Sequence, residues 1–207
     1  MAAGTLYIAD LDGTLLNSEK EVSEYTKATI NNLIAGGMHF TIATARTAAS
    51  TIKIVSGLNI NIPVVLMNGA AVYDIRREKY LKTEVIPGET VNAVTGIFKK
   101  YGVTGFIYAI SDNMLTTYYE NLNTKALKDF HDERVVKYYK TFEQVDSFFD
   151  ITAGNDVVYF SLLNEFEKLS LAFDDLKSCP DIGAVLYRDI YAENLWYLEI
   201  HGKNASK

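Results

Sequence analysis

Thr5-Leu6-Tyr7-Ile8-Ala9-Asp10-Leu11-Asp12-Gly13-Thr14-Leu15-Leu16 decides how the chain reads. Its first half, Thr5 to Ala9, is a short β-branched and aromatic run, the look of a buried strand. The strand stops at an acidic, glycine-containing loop that runs from Asp10 to Ser18. Two acids two residues apart can both reach one small volume if the chain leaves its strand there. Asp10 could then attack phosphorus as a carboxylate nucleophile, dividing one hard hydrolysis into formation and breakdown of an acyl phosphate. Asp12 could protonate the leaving oxygen and later activate water, provided its environment separates its pKa from that of Asp10. Gly13 allows the backbone to turn close to a ligand. A calcium loop needs glycine at its sixth position and glutamate at its twelfth, whereas Gly13 is fourth here and Leu15 sixth. The remaining alternative is a plain acidic turn, against which stand the strand before it and Leu15-Leu16 after it.

Outward from this loop the rhythm is β-α-β-α-β. Ala28, Ile30, Leu33 and Ile34 sit near helical spacing between Ser23 and Ala35, and Gly36-Gly37 supplies a left-handed stop. Met38 to Ala43 reads as a strand, Thr47 or Ser50 caps a helix toward Gly57, and Ile62 to Met67 reads as another buried strand. Such alternation predicts a parallel sheet covered by helices, with ligand sites outside the carboxyl ends of the strands. Past Asn68-Gly69 a hairpin is expected around Arg76 to Lys79, then a helix through Val91, Val94, Phe98 and Tyr101. Strands follow at Gly105 to Ile110 and Met114 to Tyr119. A helix near Asn121 to Asp132, a strand at Val135 to Tyr139 and a weak helix at Glu143 to Phe149 come next. The last elements are a strand at Val157 to Leu163, a helix at Glu165 to Lys177, and strands at Ile182 to Arg188 and Leu195 to Ile200. The fold class expected is α/β: a partial Rossmann-like parallel-sheet core with a large inserted α+β module. The divisions are core at residues 1–83, inserted module at 84–194, and return to the core at 195–207.

Composition narrows the partners. The 207 residues suit one large domain or two small ones at about 150 per domain. With 20 Lys plus Arg against 26 Asp plus Glu, the net charge of −6 repels polyanions and provides no broad footprint for nucleic acid or anionic lipid. A phosphate-bearing ligand must therefore be held locally. The single cysteine, Cys179, makes no internal disulfide and fits a reducing compartment. Apolar runs such as Ile62 to Met67 fall far short of the ~20 residues of a membrane span. Met1-Ala2-Ala3-Gly4 lacks the basic and apolar regions of a signal peptide, so a cytoplasmic location is expected.

Asp10-Leu11-Asp12-Gly13-Thr14 resembles the first motif, D-x-D-G-T/V, of the haloacid dehalogenase superfamily of phosphohydrolases. Thr44-Ala45-Arg46 at the end of the next core strand is similar to the T-G-R of the Cof-type branch (subclass IIB), with Ala45 in place of glycine. Asn68-Gly69-Ala70 looks like that branch's N-G-A, and Glu199 to Lys207 resembles its E-I-x-P-x-G-V-S-K, which puts Lys207 on the phosphate-binding lysine. The resemblance implies catalysis by Asp10 and Asp12, and phosphate or substrate contacts at Leu11, Thr44, Ala45, Arg46, Asn68 and Lys207. It also implies a Mg²⁺ held by Asp10 and the backbone carbonyl of Asp12, and a large cap formed by the inserted module. The branch's fourth motif, G-D-x-x-N-D, lies beyond its lysine and completes its magnesium site; this sequence stops at Lys207, short of roughly two β-α units on the βαβ scale. The activity implied is Mg²⁺-dependent hydrolysis of a small phosphorylated metabolite, a sugar phosphate first of all, through an aspartyl phosphate. Two alternatives stand: a non-catalytic phosphate-binding fragment, and a phosphosugar mutase in which a sugar hydroxyl replaces water. No nucleic-acid or membrane partner is expected, and a monomer or a homodimer is.

Other residues speak more quietly. His39, His131 and His201 share no metal-ligand spacing. Tyr118-Tyr119, Tyr138-Tyr139, Tyr187, Tyr191 and Tyr197 either line a substrate face or pack a sheet, the second being the usual role of strand aromatics. Asp129, Asp132, Glu133, Asp174 and Asp175 read as a solvated face.

Overall fold

The computed structural model describes residues 4–152, 154–190, 192 and 194–207. Two compact units result: one reaches up to Lys82 and includes Ser206–Lys207, and the other is Thr83–Ala205.

In the first unit, strand β1 (Leu6–Ala9) lies parallel to β2 (His39–Ile42), with Leu6 opposite His39 and Ala9 opposite Ile42. A parallel pair needs a crossover, and helix α1 (Glu24–Ala35) provides it. The Ser23 hydroxyl caps α1 by accepting from the Thr26 amide at 3.2 Å, and the chain leaves the helix through Gly37 at φ +98°. Helix α2 (Ala48–Ile54) follows β2, and a parallel bridge between Ala43 and Val65 joins β2 to β3 (Val64–Leu66). Strand β3 then pairs antiparallel with β4 (Ala71–Asp74), and β5 (Lys79–Thr83) lies beyond it. The β-α-β-α-β reading is seen. In one respect the structure differs: β1 is not the buried strand that its residues predict, since Leu6, Tyr7 and Ile8 are 46, 54 and 57 % exposed. The reason is pairing, since β2 is the only strand hydrogen-bonded to β1 among the described residues.

The second unit is a six-stranded sheet with helices on it. Helix α3 (Gly88–Tyr101) precedes β6 (Gly105–Ser111) and β7 (Met114–Tyr119); helix α4 (Lys125–Tyr138) precedes β8 (Phe142–Gln144) and β9 (Val157–Asn164). Helix α5 (Phe166–Leu176) and strands β10 (Ile182–Arg188) and β11 (Trp196–Gly202) complete it, in the order β10-β11-β9-β6-β7-β8. Among the described residues every strand pairing in this sheet is antiparallel except that of β7 with β8. Alternation gives this sheet two faces. On one, Ile107, Phe160, Leu162, Leu198 and Ile200 pack with Val91, Val94 and Phe98 of α3 and Leu169, Ala172 and Leu176 of α5. On the other, Phe106 stacks on Phe130 of α4 at 4.7 Å, and Tyr108 meets Tyr159 edge-on at 5.7 Å.

Three boundaries differ from expectation. Val135 to Tyr139 does not form a strand, because α4 runs on to Tyr138. Its buried residues Leu127, Phe130 and Tyr138 recur at helical spacing, and the Arg134 guanidinium lies 3.3 Å from the Phe130 ring one turn away, while Val136 stays exposed. Glu143 to Phe149 is not a helix, because Phe142–Gln144 finds the edge of β7 and pairs along it, leaving a short 3-10 turn at Phe148–Thr152. Strand β11 pairs with β9 and β10, so the chain rejoins the first unit at Ser206 and not at 195.

Candidate active site

The site is built at the carboxyl end of β1. Asp10 keeps extended backbone angles and begins an irregular turn, Leu11–Leu15, in which Gly13 takes φ +73° and the Leu16 amide closes back on the Leu11 carbonyl at 3.0 Å. Leu11 is completely buried, which anchors the loop to the unit beneath. The Leu11 amide donates to Asp10 Oδ1 at 2.8 Å, and the Lys207 ammonium donates to Oδ2 at 2.8 Å. Both oxygens of the would-be nucleophile are therefore aligned by donors, and its side chain remains 38 % exposed.

Asp12 takes a different cation. Arg46 Nε donates to Oδ2 at 2.7 Å and Nη2 to Oδ1 at 2.8 Å, a two-pronged pair that fixes the carboxylate plane. Such a fork requires both oxygens as acceptors and so holds Asp12 in its carboxylate form. The two acids thus share a loop but not a partner.

Arg46 is placed by the turn after β2. The Thr44 hydroxyl accepts from the Arg46 amide at 3.2 Å and Thr44 is fully buried, so in this structure it shapes the turn that presents Arg46. Ala45 is half-buried beside it. The turn after β3 is tied to the same loop: the Asn68 amide donates to the Thr44 carbonyl and the Met67 amide to the Arg46 carbonyl, both at 3.2 Å. Met67, Asn68 and Gly69 all have positive φ, at 49°, 54° and 97°. Asn68 is 9 % exposed. The structure therefore groups Asp10 with Leu11 and Lys207, Asp12 with Arg46, and Thr44, Arg46 and Asn68 through their backbones.

The Asp12–Arg46 fork was not legible beforehand, because a sequence offers Arg46 either a ligand or a loop to order. The role of Gly69 was hidden as well, its one signal being the Asn-Gly doublet. The tyrosines divide: Tyr118 and Tyr138 are buried, Tyr139 is exposed, Tyr187 and Tyr197 stack on each other at 5.5 Å, and Tyr191 lies outside the described residues. The acidic residues of the expected solvated face pair with neighbours: Asp129 with Lys125, Asp132 with His131, Glu133 with Arg134, Asp174 with Lys177, and Asp175 with Lys100.

The donors offered to a metal are oxygens. The Asp10 carboxylate and the Asp12 backbone carbonyl are hard oxygens, as Mg²⁺ prefers, and that ion usually takes only one or two carboxylates and completes its shell with water and phosphate. No group of three or more His, Cys, Asp or Glu is gathered among the described residues, which leaves no closed protein cage of the zinc type. No helix among them is long and apolar enough to cross a membrane.

Comparison with known proteins gives a family and a fold. A Bacillus subtilis 5-amino-6-(5-phospho-D-ribitylamino)uracil phosphatase is 28 % identical over 127 residues, 58 % of this chain and 47 % of the relative. A Buchnera aphidicola relative, named only as a candidate phosphatase, is 40 % identical over 81 residues, 37 % of this chain and 30 % of its own. The matches thus span less than half of these relatives. Among solved structures, a haloacid dehalogenase-like hydrolase from B. subtilis superposes with a TM-score of 0.77 at 21 % identity, over 98 % of this chain and 74 % of that one. The subclass IIB sugar phosphatase BT4131 does so with a TM-score of 0.65 at 19 % identity, over 99 % and 72 %. Those two likenesses concern the fold. The family profile of the haloacid dehalogenase-like hydrolases matches residues 7–207, and the chain belongs to that family.

Proposed function

We propose that the chain carries the phosphoryl site of a phosphatase acting on small phosphorylated metabolites, sugar phosphates first among them, with Asp10 as the nucleophile. The observation that carries this reading is the Lys207–Asp10 hydrogen bond, which sets a cation beside an exposed carboxylate at a strand's carboxyl end. A phosphate dianion approaching an aspartate is repelled unless cations neutralise its oxygens. Lys207 lies where it can do so. Asp10 attacks phosphorus, the P–O bond to the leaving group breaks, and the leaving oxygen takes a proton. Water then attacks the same phosphorus, its proton passes to a base, and Asp10 leaves with its own oxygen.

Asp12 is the acid and base of these steps. Its pairing with Arg46 favours the base form, so proton donation in the first step requires the fork to loosen as substrate arrives. Asp10 and the Asp12 carbonyl are the residues that would hold Mg²⁺. When bound, that ion supplies charge neutralisation between the carboxylate and the phosphate. The choice among leaving groups is assigned to the second unit as a cap.

A second reading, phosphate binding without turnover, is favoured because no group of three or more His, Cys, Asp or Glu is gathered among the described residues. Phosphate release from a generic aryl phosphate, assayed with and without Mg²⁺, separates the two. The phosphatase reading expects release that depends on the metal and is abolished in Asp10→Asn with the fold intact. Full activity in that variant would end it. Saturable binding of inorganic phosphate with no release would favour the second reading.

A further inference from the structure

The structure assigns to Gly69 the positioning of Lys207 on Asp10. Gly69 ends a run of three left-handed residues, and its φ of +97° is one that side chains rarely adopt. A Cβ built on it would stand 2.5 Å from the Ser206 carbonyl carbon, with the Ser206 nitrogen and oxygen closer still. Backbone meets backbone here, so no side-chain rotation relieves the overlap and the Ser206 peptide itself must move. The next residue is Lys207, whose ammonium reaches Asp10 Oδ2 at 2.8 Å. The turn that receives Ser206 is also the one whose Asn68 and Met67 amides hold the Thr44 and Arg46 carbonyls. A single glycine thus registers the Lys207 segment against the loop that carries Arg46, the partner of Asp12. Gly69 touches no reacting atom; it acts through Ser206 and Lys207, and its bearing on phosphate rests on the reading of Lys207 given above.

Gly37 provides an internal control. It has φ +98°, nearly the same backbone strain, but a Cβ there meets nothing within 4 Å. Gly69→Ala and Gly37→Ala therefore share the conformational cost and differ in displacement of Ser206. Two readouts are taken on the full chain. The first is the rate at which the Lys207 amine is acetylated by an N-hydroxysuccinimide ester, read by peptide mass spectrometry. The second is affinity for inorganic phosphate with Mg²⁺.

Gly69→Ala is expected to raise Lys207 acetylation several-fold and to weaken phosphate about tenfold, the size of one lost charge-assisted hydrogen bond. Gly37→Ala is expected to leave both unchanged. Gly69→Asn, which tolerates left-handed backbone but carries a Cβ, is expected to behave like Gly69→Ala and carries the test if that variant does not fold. Lys207→Ala should weaken phosphate equally, with no further loss when Gly69→Ala is added. Acetylation at the wild-type or Gly37→Ala rate in both Gly69 variants overturns the positioning role. Faster acetylation with phosphate binding unchanged in Lys207→Ala overturns the phosphate role of Lys207 instead.

Discussion

Each acid of the loop after β1 meets its own cation, and the two pairs differ in kind. Lys207 gives Asp10 a compact, mobile charge, and Arg46 gives Asp12 a planar fork. In the proposed roles, the mobile charge would suit a carboxylate that meets phosphorus, and the fork one that keeps its orientation while protons come and go. Asp12→Asn is expected to slow phosphate release by about 10²–10⁴-fold, the usual worth of a general acid–base group, with thermal stability close to the parent. Steady-state kinetics beside a melting curve check this; an unaffected rate would remove Asp12 from proton transfer. Both aspartates were legible in the letters, because spacing alone puts them on one loop. Their partners were not, since Arg46 and Lys207 lie 34 and 197 residues away along the chain and only folding joins them.

Lys140 is a residue that no pattern announced. It follows α4, is 8 % exposed, and holds its ammonium 4.3 Å from the centre of the Tyr108 ring and 5.3 Å from that of Phe142. Burial, reinforced by the nearby Arg134 guanidinium, pushes its pKa well below the usual lysine range. The unfolded chain then binds this proton more readily than the folded one. Folding is accordingly penalised by a constant amount below the folded pKa, and the penalty fades as pH climbs from there to the ordinary value of about 10.4. Lys140→Met should raise stability at neutral pH by about 1–4 kcal/mol, the range seen when buried charged groups give way to apolar ones. Urea melts across that pH span should show the advantage shrinking toward zero near the upper end. A variant no more stable at neutral pH would mean that the ring contacts offset the burial.

Among the elements, caps and close approaches decide boundaries. Ser23 anchors the start of α1 through the Thr26 amide, so Ser23→Ala is expected to cost about 1 kcal/mol in denaturant melts. Gly105 sits where β6 and β9 meet: an added Cβ would lie 2.8 Å from Leu162 Cα and nearer still to the Ser161 carbonyl oxygen. Overpacking of this kind costs about 1–3 kcal/mol or more, and Gly105→Ala should lower the melting temperature more than Ser23→Ala does. Helices with a clear apolar stripe, such as α3 and α5, were readable because Val91, Val94 and Phe98 and then Leu169, Ala172 and Leu176 mark their own faces. The segment from Val135 to Gln144 was not. Its β-branched pair suggested a strand, yet the one-turn contact from Phe130 to Arg134 extends α4, and the open edge of β7 then captures Phe142–Gln144. Local propensity loses to tertiary partners that a sequence does not display.

At the scale of the molecule, the second unit has its own continuous core, in which α3 and α5 cover one face of a six-stranded sheet. Thr83–Ala205 expressed alone is therefore expected to fold and to melt in one cooperative transition; a gradual, non-cooperative loss of signal would contradict that. The first unit differs, since β1 leads into the Asp10 loop and yet leaves Leu6, Tyr7 and Ile8 largely uncovered. Its alternation of strands and helices was plain from the sequence, whereas the exposure of β1 depends on which strands pair with it.

The central claim is that Asp10 becomes phosphorylated, and chemical trapping addresses it most directly. The protein is quenched during turnover of an aryl phosphate with Mg²⁺ and reduced with borohydride, which converts an aspartyl phosphate to homoserine. Its peptides are then weighed. The account predicts homoserine at position 10 and unmodified aspartate at position 12. Released phosphate together with an unreduced Asp10 would contradict it.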